Sequence, residues 1–143
     1  MLFRSLADAI DLEKDKARYE EDRARDLRLS RDGGRTWPDE RLVARDPANA
    51  IFYWDQRIAA HPATGRLVAM CWTHEPERGM DRDVHIAWGD PDGGGWSTPV
   101  PTGLPGQHCQ PIPLGGDRLA ALYTHRGAPA GIRLAISEDF GRS

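Results

Sequence analysis

Asp55-Gln56-Arg57 places a carboxyl, an amide and a guanidinium on three consecutive positions. Residues two apart on a strand share a face, so Asp55 and Arg57 read either as a catalytic acid beside a substrate-gripping cation or as a structural ion pair. The spacing favours the ion pair. His74-Glu75 does not extend to the H-E-x-x-H pattern of a zinc-binding helix. His74 and His125 alone supply too few ligands for a metal centre. Asp90 and Asp92 lack the third carboxylate and bidentate Glu of a calcium loop. Gly93-Gly94-Gly95 is followed by no Lys and opens no helix, which excludes a phosphate loop. Cys71 lies mid-strand and reads as a small buried hydrophobe. Cys109 is a thiol with no assignable histidine partner. No metal or cofactor is implied.

The chain has 143 residues, 39% hydrophobic and 29% charged, with 15 Gly, 11 Pro, 5 Trp and a formal net charge of −3. One domain with a genuine core is expected from that length. A mild negative balance argues against nucleic acid as partner, because phosphate binding needs clustered positive charge. No apolar run approaches the roughly 20 residues of a membrane helix. The segment after Met1 is too charged for a secretory signal, and two cysteines are too few for a disulfide scaffold.

These residues must be positioned by short elements. Residues 5–26 carry dense alternating charge on a thin apolar stripe, which predicts a solvated helix. From residue 27 onward, apolar runs recur between Gly, Pro and Asp: 27–30, 55–60, 66–73, 84–88, 110–114, 118–124 and 132–137. Such runs predict strands and an all-β fold. Pro111 and Pro113 demote 110–114 to an interrupted or edge strand. GRLVAMCWTHE (65–75) resembles DRLAALYTHR (117–126), with Trp72 matching Tyr123 and His74 matching His125 at an offset of 51. A repeat of about 50 residues holding about four strands is a propeller signature.

Ser30-Arg31-Asp32-Gly33-Gly34-Arg35-Thr36-Trp37 fits the pattern S-x-D-x-G-x-T-W, and Ser137-Glu138-Asp139-Phe140-Gly141-Arg142-Ser143 repeats it up to the tryptophan. Gly89–Trp96 keeps the glycine and tryptophan but displaces the aspartates. Asp32 can close an Asx-type turn on backbone N–H groups, Gly34 can take positive φ, and Trp37 and Trp96 can fold back as plugs. Ser30, Asp32, Gly34, Thr36, Trp37, Trp96, Ser137, Asp139 and Gly141 are thus structural. These boxes resemble the Asp-box (BNR) repeats of the sialidase superfamily. The resemblance implies part of a six-bladed propeller of four-stranded blades, in units of roughly 1–45, 53–101 and 108–143, with 5–26 as an insertion. The final box, stopping before its tryptophan, predicts a piece of a longer propeller.

In such a blade the boxes sit at one end, and the mouth at the other end collects the ends of second strands and the starts of first strands. The resemblance therefore draws attention to Asp55, Arg57, Arg4 and Arg126 as catalytic candidates. It marks Gln56, His74, Glu75, His108, Gln110 and His125 as candidates for substrate contact. Sialidases hold a sialic-acid carboxylate with arginines and use an Asp acid/base and a Tyr nucleophile, and guanidinium suits that grip. No arginine here matches a particular family position. Trp54, Trp72 and Tyr123 can stack on sugar rings or pack within blades. The expected function is that of a sialidase-like glycoside hydrolase fragment, inactive alone, with glycan or glycoconjugate as substrate. The alternative is a non-catalytic propeller module binding glycan or protein, since a fold does not fix a function. Uncovered blade faces and unpaired edges predict self-association.

Overall fold

The computed structural model describes residues 23–143. Its strands are β1 (Ala24–Leu29), β2 (Asp39–Arg45), β3 (Phe52–Ala60), β4 (Leu67–Glu75), β5 (Met80–Asp81), β6 (His85–Gly89), β7 (Val100–Pro101), β8 (Cys109–Gly115), β9 (Arg118–His125) and β10 (Gly131–Ser137). The protein is all-β. All strand pairs are antiparallel and form three sheets: β1-β2, β3-β4-β6-β7 with β5 added at the end of β4, and β8-β9-β10.

The helix expected over 5–26 falls outside the described residues as far as residue 22. Where it is described, Ala24–Asp26 instead open β1. Leu27 turns toward the middle sheet, and pairing with β2 takes up the backbone of 24–26. Strand β2 was absent from the expected runs, because only Val43 and Ala44 of DERLVAR are buried. Strand β8 is an edge strand with an irregularity between Pro113 and Gly115, as its prolines require.

The middle sheet is covered on both faces. Val68 and Met70 pack with Cys109, Leu119, Ala121 and Tyr123 of the third sheet. Ala69 and Cys71 pack the other way, with Val43, Ala44 and Tyr53. That double burial explains why β4 reads as an almost continuous apolar run rather than an alternation. The sheets follow one another in chain order, β1 against β3 and β3 against β8.

Candidate functional site

The boxes at 30–37 and 137–143 fold alike. Gly34 N–H donates to Ser30 Oγ at 2.7 Å, and Asp32 Oδ1 accepts from the N–H groups of Arg35 and Thr36 at 3.0 Å. In the second, Gly141 N–H donates to Ser137 Oγ at 2.8 Å, and Asp139 Oδ1 accepts from Arg142 and Ser143 at 2.9 and 3.0 Å. Gly34 and Gly141 take φ of 87° and 82°, the left-handed backbone the turn demands. Hydrogen bonds from Thr36 hold the Asp32 carboxyl well below its ordinary value. Those from Ser137 and Ser143 lower Asp139 to about 2. The degenerate turn keeps the closing contact: Trp96 Nε1 donates to Gly93 O at 2.9 Å, as Trp37 Nε1 does to Gly34 O at 3.2 Å. These box groups are structural.

Register sets the polarity of the sheets. Leu67 pairs with Gly89, so the 89–97 turn leaves from the start of β4, opposite His74. Ser137 pairs with Leu119 and Gly131 with His125, so the last box lies opposite His125. The ends of β4 and β9 thus form a rim away from the boxes.

Trp54 and Trp72 are cross-strand partners on this rim, 4.9 Å apart edge to face. Trp54 stacks on His74 at 4.7 Å, and Trp72 tilts against His108 at 5.5 Å. Beside them β3 bulges between Trp54 and Arg57, with Asp55 at φ 44°. The bulge turns Asp55 so that Oδ1 receives Arg57 Nη2 at 2.8 Å and Oδ2 receives His108 Nδ1. Both oxygens thus have a cationic or imidazole partner, which holds the carboxylate in place. The ion pair expected between Asp55 and Arg57 is present.

His74 Nδ1 meets Asp81 Oδ1 at 2.9 Å, and Gln107 Nε2 donates to Asp81 Oδ2. Burial pushes the Asp81 carboxyl up, but hydrogen bonds from His74 and Gln107 outweigh it and leave the group below its ordinary value. The buried Trp72 indole N–H, turned toward the same carboxylate outside hydrogen-bond geometry, adds an electrostatic pull. Glu75 is held between Arg78 and Arg82 at 3.0 and 2.7 Å. A cleft of about 250 Å³ opens behind Gln107, walled by Asp81, Arg82, His125 and Arg126.

The structure therefore gathers Asp55, Arg57, His74 and His108 with the two tryptophans, and sets Glu75 next to them. His125 donates from Nδ1 to Pro105 O at 2.7 Å and braces the approach to β8. Arg126 is exposed on the cleft wall and forms no ion pair with Asp55. Gln56 reaches instead toward Asp26 O of the first sheet. Gln110 alternates with buried Cys109 and Pro111, so it points to the outer face of the third sheet and bonds Pro111 O. Arg4 lies outside the described residues. Cys109, expected at the mouth, is fully buried against Met70, because its side chain alternates inward. Asp81 and Gln107 escaped the sequence reading, since neither stands at a fixed spacing from His74. An apolar cleft of about 350 Å³ lies beside Ser137–Ser143 and has Arg142 as its one titratable lining residue. No group of three His, Cys, Asp or Glu among the described residues is placed to hold a metal ion. None of their helices is long and apolar enough to cross a membrane.

No protein-family model matches the chain, and no curated protein matches it. A solved structure does: a crystal structure of a protein of unknown function from Dyadobacter fermentans DSM 18053, with a TM-score of 0.67 and 24% identity. The match covers 82% of this chain and 30% of that one. At that identity the likeness concerns the fold alone.

Proposed function

We propose that this chain is a segment of an Asp-box β-propeller of the sialidase type, and that the rim around Trp54 and Trp72 binds a glycan. The observation that carries the reading is the separation of roles along the strands. Hydrogen-bonded boxes close one end, while two indoles, two imidazoles and a carboxylate–guanidinium pair meet at the other. Apolar ring faces beside fixed donors and acceptors suit a sugar, which offers C–H faces and hydroxyl edges. The meander β3-β4-β6-β7 and the recurrence of its pattern in β8-β9-β10 support the propeller. Asp55, held by Arg57 and His108, is read as a positioning carboxylate, so exo-sialidase chemistry would draw its acid from another residue.

Titration of tryptophan fluorescence with sialyllactose and with neutral oligosaccharides tests this. A saturable change is expected with at least one of them. Trp72→Ala should weaken it at least about tenfold, equivalent to about 1.4 kcal/mol. No response to any glycan would overturn the binding reading. Turnover of a fluorogenic sialoside by residues 1–143 would overturn its non-catalytic part.

A further inference from the structure

Both rim histidines are held in the same way. His74 Nδ1 meets Asp81 Oδ1 at 2.9 Å, and His108 Nδ1 meets Asp55 Oδ2. A carboxylate only accepts, so each Nδ1 carries the ring proton, and a neutral ring then keeps Nε2 as a bare acceptor. Among the described residues no hydrogen bond or ion pair reaches either Nε2. The His108 side chain is half exposed, and His74 Nε2 meets solvent at the edge of a mostly covered ring. The four rings touch in the order His74, Trp54, Trp72, His108. The row of indoles thus has an open acceptor at either end.

We infer that His74 and His108 set the class of sugar: their Nε2 atoms accept hydrogen bonds from hydroxyls of a neutral glycan whose C–H face lies on the indoles. This rests on the glycan reading above and adds which glycans the rim prefers. Charge points the same way. Asp55, Glu75 and Asp81 place carboxylates around the rings, and the guanidiniums beside them are already paired, Arg57 with Asp55 and both Arg78 and Arg82 with Glu75. Asp81 is bonded by His74 and Gln107 and has no guanidinium partner among the described residues. Arg126 lines the cleft behind Gln107. A sugar carboxylate on the row would face lone pairs and like charge, whereas hydroxyls can donate to both acceptors.

Fluorescence titration at pH 8, where an ordinary imidazole is neutral, tests this with lactose, maltose and cellobiose against sialyllactose. A neutral sugar should saturate the signal, and sialyllactose should bind no more tightly than the best of them. His108→Asn keeps an amide N–H where Nδ1 stands and deletes Nε2, so the brace to Asp55 stays while the acceptor goes. His74→Asn does the same toward Asp81. Each should weaken the best neutral sugar at least about threefold, the loss of one hydrogen bond. His108→Asn should also melt above His108→Ala. Long-range proton–nitrogen NMR of the unliganded chain should show both rings protonated at Nδ1, a readout that needs no sugar. Sialyllactose bound more tightly than every neutral sugar would overturn the inference and leave glycan binding standing. So would undiminished neutral-sugar binding in both asparagine variants, or a neutral ring protonated at Nε2. Silence toward every sugar would overturn the glycan reading and the inference with it.

Discussion

Asp55 and His108 are 53 positions apart, yet His108 Nδ1 donates directly to Asp55 Oδ2 across the junction of the second and third sheets. The contact exists because Asp55 stands in a bulge at φ 44°, a conformation that aspartate tolerates better than a branched residue. Arg57 shares the same carboxylate, whose side chain is 16% exposed. Asp55→Ala should cost about 1–3 kcal/mol, the range for losing charged hydrogen bonds at a mostly buried acceptor. His108→Ala should cost less, because that ring is half exposed. Denaturant melts of both singles and the double should give a coupling of at least about 0.5 kcal/mol. Strict additivity would mean that the contact does not join the sheets.

Stability should fall in two steps as pH is lowered. Burial, foremost, holds the His85 imidazole below its ordinary 6.5. The unfolded chain then takes up a proton near 6.5 that the folded chain refuses, so stability is full above that pH and declines below it. The second step comes from the boxes. Asp139, at about 2 when folded against 3.8 ordinarily, contributes fully above about pH 4 and loses its contribution as pH falls toward 2. Asp32 and Asp81 shift the same way. Thermal melts from pH 8 to pH 2 should show a flat upper limb and then both declines. Asp139→Asn should be less stable at pH 7 and should lose part of the lower step. An unchanged acid slope in that variant would contradict the assignment.

The degenerate turn supplies a packing test. A Cβ at Gly89 would stand 2.7–2.9 Å from the Trp96 ring, closer than side chains approach. Trp96 packs on the cluster of Val43, Tyr53 and Cys71 between the first two sheets. Gly89→Ala should therefore displace the indole and cost about 1–3 kcal/mol. Fluorescence should shift to the red as Trp96 meets water. A variant with parental emission and melting temperature would show that the ring does not lie flat on Gly89.

What could be read from the chain depended on how local the determining contacts are. Each box closes within eight residues, so Ser30, Asp32, Gly34 and Thr36 announced their turn before any fold was known. Strands β4 and β9 were legible because repeated burial writes repeated sequence. Strand β2 was not, because its outer face is charged and only two side chains are buried. The rim was legible in part. Its members stand at strand ends and were named, but their alliances cross between sheets. Asp81 reaches both His74 and Gln107, the latter 26 positions away, and no local pattern encodes that. Gln56 and Gln110 point away from the tryptophan pair for a related reason: proximity in sequence to the rim does not determine which face a side chain leaves from. The bulge in β3 and the alternation in β8 send them elsewhere.

Both thiols should be silent in the folded protein. Cys71 and Cys109 are 2% and 0% exposed, and burial pushes each thiol up to about 12, at Cys71 against a smaller downward pull from Arg25. The thiolate is the reactive form, so a group that must ionise in an apolar layer is slow twice over, through access and through ionisation. They also lie on opposite sides of the middle sheet, Cys71 with the first sheet and Cys109 with the third. A disulfide between them would need the core to open. A chromogenic disulfide reagent at pH 8 should therefore label neither residue in native buffer and both in guanidinium chloride. Because each thiol reports a different inter-sheet layer, Cys71→Ser and Cys109→Ser should separate the two openings as denaturant is raised. Rapid labelling of Cys109 in native buffer would return it to the rim surface and contradict its packing on Met70.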